Sequence, residues 1–179
     1  MKSIKSSSLL NVSVLIALFS IFLGVLYAGT NPVFGANAYA FGTASVQLND
    51  GHIRVLKSQS ISLCNSSFDP AAGVLKATMA HSCPLTVDSR EAEELMRKFD
   101  RVRADTLLNV TKTDINGRYQ FDHLPPGTYC IVAVYTETLG QVIDHKYWAR
   151  RISVKSRQVI SCDLDNKNFN GHFLSIKEK

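Results

Sequence analysis

Proline and glycine are scarce, with 5 Pro and 10 Gly in 179 residues. That excludes a collagen-like repeat and a Pro/Gly-rich low-complexity chain. No period of ~20–50 residues recurs, which excludes a solenoid or repeat array. An excess of one charge is also missing. The formal net charge is +5. Lys2 and Lys5 stand before Phe41, leaving 18 of the 20 basic residues against all 15 acidic ones. The later charges alternate in sign, which describes a solvated mixed surface, so no nucleic-acid partner is expected. Signatures of catalysis are lacking too: there is no H-x-x-E or H-E-x-x-H pair and no G-x-S-x-G elbow. Apolar residues are not lacking. They make up 45% of the chain, too many for wholesale disorder.

The N-terminus speaks to compartment. Lys2 and Lys5 precede a serine run and then an apolar stretch, residues 9–27, interrupted only by Asn11, Ser13 and Ser20. The small-residue run from Gly35 to Ala40 follows, with A-x-A registers ending at Ala38 and Ala40. A basic start, an apolar centre and an A-x-A site read as a secretory signal. The apolar stretch is also long enough to anchor the chain as an N-terminal hydrophobic helix. Either reading, signal peptide or signal anchor over residues 1–40, exports residues 41–179. The expected location is secreted, periplasmic or on the extracytoplasmic face of a membrane, with membrane anchoring through residues 9–27 as one form.

Cys64, Cys83, Cys130 and Cys162 all follow the leader. An even count in an oxidising compartment favours disulfides, and three connectivities are open. Cys64–Cys83 with Cys130–Cys162 is preferred here, because each closes a short local loop. Met79, His81 and Cys83 alternate, so a strand would place all three on one face, where soft ligands suit copper. They are the candidates for a metal, against an expectation of no metal and no cofactor. His52, His123, His145 and His172 are scattered.

Beyond the leader, period-two alternation dominates. Strands are expected over residues 44–48, 60–64, 73–80, 107–113, 118–121, 128–135, 148–154 and 159–164, with H-I-R-V-L after the N-D-G break at Asn49 to Gly51. One segment departs. From Asp88 to Arg103, apolar residues fall at Ala92, Leu95, Met96, Phe99 and Val102, the spacing of one helix face. Asp88 can cap this helix with Glu91 three residues on. Glu93–Arg97 and Glu94–Lys98 are i,i+4 pairs. The tail from Lys167 to Lys179 is polar and is expected to fray, with Phe173 and Leu174 as the residues able to dock.

The run T-D-I-N-G-R-Y-Q-F-D-H-L-P-P-G-T-Y-C-I-V, Thr113 to Val132, is the densest signal. Asp114 can bond the backbone of its own turn. Asn116-Gly117 tolerates positive φ. Tyr119 and Phe121 share a face. Pro125-Pro126-Gly127 reverses the chain again. Tyr129, just after that turn, can bury its ring and bond backbone through its hydroxyl, as in a tyrosine corner.

These residues, T-D-x-N-G-x-Y-x-F followed by L-P-P-G-T-Y, resemble the carboxypeptidase regulatory-like domain. The resemblance implies an all-β fold: an Ig-like or prealbumin-like antiparallel β-sandwich of about seven strands. Here it would carry one inserted α-helix at about residues 88–104. It also implies a non-catalytic module working at a cell surface or in an extracellular or periplasmic space; fold analogy alone gives no ligand, and the expected partner is an unidentified protein or glycan. Three enzyme groups with related folds fit less well. Intradiol dioxygenases need an H-x-H after the run, and C-I-V-A-V-Y-T-E-T-L stands there. Hydroxyisourate hydrolases end in a Y-R-G-S-like tail, and this chain ends F-L-S-I-K-E-K. Zinc carboxypeptidases need a far larger domain. The chain is therefore not expected to be an enzyme. A metal-binding or oxidoreductase-like protein and a membrane-anchored accessory subunit are the alternatives. Some similar sandwiches carry a Lys–Asn cross-link, for which Lys57 and Asn166 are imaginable partners.

Overall fold

A computed structural model describes residues 37–48, 51–69, 85–168 and 170–176. Residues 1–36, including the hydrophobic helix expected over 9–27, the strand expected at 73–80, and Met79, His81 and Cys83 lie outside the described residues. The elements run β1 (Ala38–Thr43), β2 (Ser45–Gln47), β3 (Ile53–Val55), β4 (Ser60–Asn65), β5 (Leu85–Val87) and α1 (Ser89–Thr106). They continue β6 (Leu107–Lys112), β7 (Arg118–Leu124), β8 (Gly127–Leu139), β9 (Val142–Val154), β10 (Val159–Ser161) and β11 (Gly171–Ile176).

The strands form a six-stranded sheet in the order β5-β11-β9-β8-β4-β6, a three-stranded sheet β10-β1-β7, and the pair β2-β3. β8 and β9 are the central ribbon, paired without a break from Gly127↔Val154 to Leu139↔Val142. Not every pairing is antiparallel. β1 runs parallel to β10, and β5 parallel to β11. Each of these pairs joins strands far apart in sequence, so no hairpin turn dictates their direction.

The central ribbon is buried on both faces, as Tyr129, Cys130, Ile131, Val132 and Ala133 show in succession. Period-two alternation splits it between two cores. Ala40, Val46, Ile61, Leu63, Phe121, Ile131 and Trp148 belong to the core between the sheets. Cys64, Phe68, Ala92, Phe99, Val132, Tyr147 and Phe173 form a second core beneath α1. The helix is thus a third layer, on the outer face of the large sheet. Asp88 caps it, accepting the Glu91 amide at 2.7 Å. Glu94–Lys98 pair at 2.6 Å. Phe99 is the anchor: its ring meets Phe68 edge-on at 6.0 Å and lies 5.9 Å from Tyr147.

Three expectations need correction. Within the tail expected to fray, residues 171–176 instead form β11, paired in six registers with β9, and Phe173 docks fully buried. Its alternation, obscured by His172 and Ser175, packs one face under α1. Second, Cys130 and Cys162 are not bonded to each other; Cys64, Cys130 and Cys162 are all free thiols. Cys130 faces the core under α1, whereas Cys162 sits in the core between the sheets. Sequence proximity does not bring them together, because they project into different layers. Third, Lys57 and Asn166 are not partners. Lys57 is exposed at a turn, and Asn166 accepts the Gln47 amide at 2.7 Å. In the run resembling an A-x-A site, Ala38 and Ala40 are fully buried in β1.

Candidate ligand groove

The turn at Asp114 is built as its residue types require. Asp114 Oδ1 accepts the amides of Asn116 and Arg118, both at 2.8 Å. Gly117 has φ +72, and a Cβ there would meet Val55 Cγ1 at 2.6 Å and the Ala44 carbonyl at 2.8 Å. Both the turn and the close approach of β3 need glycine. β7 leaves this turn with Tyr119 and Phe121 pointing into the core, their rings 6.1 Å apart and edge-on. Tyr119 donates its hydroxyl to the Cys162 carbonyl. Burial, above all, and the Cys162 neighbourhood push that phenol far above its ordinary pKa, so it stays a donor. Gly42 permits this arrangement, since a Cβ there would collide with the same carbonyl. At the second reversal, Tyr129 donates to the Pro125 carbonyl at 2.7 Å, and His123 takes φ 57. Pro126 and Gly127 complete that turn on the surface.

Inward Tyr119 and Phe121 leave Arg118 and Gln120 facing outward. On the paired strand β1, Phe41 and Thr43 are exposed. The register sets Phe41 opposite Gln120 and Thr43 opposite Arg118. Directly opposed residues share a face, so the four form a two-by-two patch. Asp163 closes one side: its Oδ1 accepts both the amide and the hydroxyl of Thr43 at 2.8 Å. Thr111, Lys112 and Asp114 close the other. Together they line an open groove of about 600 Å³. Tyr39 extends the aromatic surface, 6.2 Å from Phe41. A second depression of about 540 Å³, around Arg150, Arg151, Ser153 and Lys167, has no aromatic lining residue.

The groove thus combines an exposed ring, two cations, an amide and two carboxylates. Such a set can stack an apolar ring face and exchange hydrogen bonds with hydroxyls around it. The carboxylates Asp114 and Asp163 are already engaged in holding backbone amides in place.

A separate charged cluster lies where β9 and β11 pair. Buried Asp144 is 3.3 Å from Lys146 Nζ and 3.0 Å from His172 Nε2. Burial alone would raise the Asp144 pKa, but His172 and Lys146 outweigh it, and the net shift is downward. Arg54 reaches Tyr135 Oη at 2.9 Å and Glu137 at 3.0 Å. His145, on the opposite face of β9, stacks on Phe173 at 4.4 Å and lies 3.0 Å from Ser175 Oγ. Burial lowers its pKa, and Asp144 opposes that only in part. The histidines are therefore less scattered than the sequence implied. No group of three or more His, Cys, Asp or Glu placed to hold a metal occurs among the described residues.

Phe41, Thr43, Lys112, Arg118, Gln120 and Asp163 were not singled out by the sequence reading. Arg118 and Gln120 carried a usable signal, because they alternate with the core residues Tyr119 and Phe121. Asp163 and Phe41 carried none, since only the β1–β7 register and the β10 crossover bring them together.

No known protein family matches the chain, and no curated protein does. Among solved structures, the chain is similar to a candidate carbohydrate binding protein from Pseudomonas aeruginosa. Identity is 20%, TM-score 0.47, and coverage 78% of this chain and 94% of that one. It is also similar to a minor pilin from Streptococcus agalactiae, at 8% identity and TM-score 0.37, covering 80% of this chain and 46% of that one. The major pilin subunit of Bacillus cereus matches at 12% identity and TM-score 0.35, over 75% of this chain and 30% of that one. At TM-scores this low the likenesses assign neither family nor function.

Proposed function

We propose that this chain is an exported, non-catalytic β-sandwich module of the carboxypeptidase regulatory-like kind. Its work is to hold a hydroxyl-rich ligand, a glycan, in the groove on the outer face of the three-stranded sheet. The observation that carries this reading is the patch Phe41–Gln120 and Thr43–Arg118 beside Asp163. Stacking on Phe41 selects a flat apolar ring face. Arg118, Lys112 and Gln120 donate to ring hydroxyls or to an acidic substituent. The regular strands beneath fix these groups more rigidly than loops would. Lys2, Lys5 and the apolar residues 9–27 support export, through a signal or an anchor.

A glycan array probed with the purified domain tests the reading. The wild type should retain a defined set of sugars, and Phe41→Ala and Arg118→Ala should each lose them while melting as the wild type does. Retention unaffected by both variants would overturn the groove assignment. A bound sugar that is cleaved during incubation would overturn the non-catalytic one. Retention of a protein rather than any sugar would move the ligand class.

A further inference from the structure

Cys64 on β4 and Cys130 on β8 stand directly opposite each other. The register around them is unbroken, from Ile61↔Ala133 to Asn65↔Tyr129. Opposed residues share a face, and both thiols lie in the core under α1. Cβ atoms of such a pair stand about 4.5–5.5 Å apart. A disulfide spans about 3.5–4.5 Å between Cβ atoms, so a shift of about 1 Å at the sheet centre closes the gap. The Cys64 thiol's competing contacts are to α1: the Arg103 carbonyl at 3.9 Å, a weak one, and the Thr106 side chain. Cys162 projects into the other core and cannot compete.

We propose that Cys64 and Cys130 form a cross-strand disulfide when the chain meets a disulfide-bearing oxidant. One thiolate attacks a sulfur of the oxidant's disulfide, making a mixed disulfide and expelling a thiolate. The second cysteine, as thiolate, then attacks the protein sulfur of that mixed disulfide and releases the other half of the oxidant. Two protein thiols lose two protons and two electrons, and the oxidant's disulfide is reduced to two thiols. Both cysteines are at most 1% exposed, so α1 shields them once it is docked. Burial also pushes the Cys130 thiol up to about 12, with the nearby Cys64 adding to it, and raises that of Cys64. Oxidation therefore takes place before α1 docks or when it opens. The bond staples the two central strands beneath the helix.

The test incubates the reduced full chain with glutathione disulfide, with and without urea low enough to loosen α1 only. Remaining thiols are then alkylated in denaturant and the peptides are mapped by mass. The alkylatable thiols should fall from four to two. One linked pair of peptides should contain Cys64 and Cys130, and urea should hasten its formation. Cys162→Ala should leave the linkage intact, and Cys64→Ala should abolish it. Four alkylatable thiols at equilibrium would overturn the proposal, as would a bridge between any other pair, Cys64 with Cys83 included. The wild-type map decides by itself should Cys64→Ala fail to fold.

Discussion

Tyr119→Phe removes one oxygen from the interior and tests how the three-stranded sheet is locked. The hydroxyl is the partner of the Cys162 carbonyl, where the chain leaves β10 to run beside β1. Cys162 is only 7% exposed, so water cannot readily replace the lost donor. A net hydrogen bond is worth about 1 kcal/mol, and a buried carbonyl left unpaired costs about 1–3 kcal/mol. Phenylalanine keeps the ring and its contact with Phe121, so no cavity cost is added. The expected loss is about 1.5–3 kcal/mol. That corresponds to a fall in Tm of about 4–10 °C for a domain of this size. Urea unfolding followed by Trp148 fluorescence reads it directly, since this single tryptophan is fully buried in the same core. Tyr129→Phe is the comparison. Its hydroxyl bonds a carbonyl at a part-buried site, so the loss should be about 0.5–1.5 kcal/mol. A Tyr119→Phe variant that unfolds at the wild-type midpoint would refute the assignment of this hydroxyl as the lock.

Gly42→Ala should cost more than Tyr119→Phe, about 3 kcal/mol or above, because the new methyl meets backbone that cannot rotate away. Phe99→Ala empties the contact between α1 and the large sheet and should cost about 3–5 kcal/mol, with earlier amide exchange in the helix than in β8. Acid should destabilise the fold in two steps. His145 has a folded pKa below its unfolded value of about 6.5, so its contribution is complete above that pH and declines as pH falls below it. Asp144 has a folded pKa below its unfolded value of about 3.9, so its contribution survives the first step and is lost at lower pH still. Urea midpoints from pH 8 to pH 3 check both, and a His145→Gln variant that keeps the full slope between pH 7 and 5 would contradict the first.

Local chemistry was legible where one segment decides its own conformation. The Asp114–Gly117 turn, the capped helix after Asp88 and the inward pair Tyr119 and Phe121 could each be read from residues a few positions apart. What needed distant partners was not. β1 pairs with β10 across more than a hundred residues, and nothing local in Ala38 to Thr43 announces that. The first half of β9, Ile143 to Tyr147, was missed because Asp144, His145 and Lys146 break the apolar alternation. Asp144 and Lys146 tolerate burial through each other and through His172, a cross-strand neighbour no sequence window contains, while His145 packs on Phe173 beside Ser175. The cysteines failed for the same reason: loop length favoured Cys130 with Cys162, whereas strand register sets Cys130 opposite Cys64. The groove was half legible. Its floor followed from the dense run, and its rim came from β1, β6 and the segment after β10.

Amide chemical-shift mapping of the isotope-labelled domain during titration with a retained sugar tests the central claim most directly. The account predicts saturable shifts confined to Phe41, Thr43, Lys112, Arg118, Gln120 and Asp163, with the signals of α1 and the Asp144–Lys146–His172 cluster unmoved. Shifts centred on that cluster, or new product signals growing with time, would contradict it.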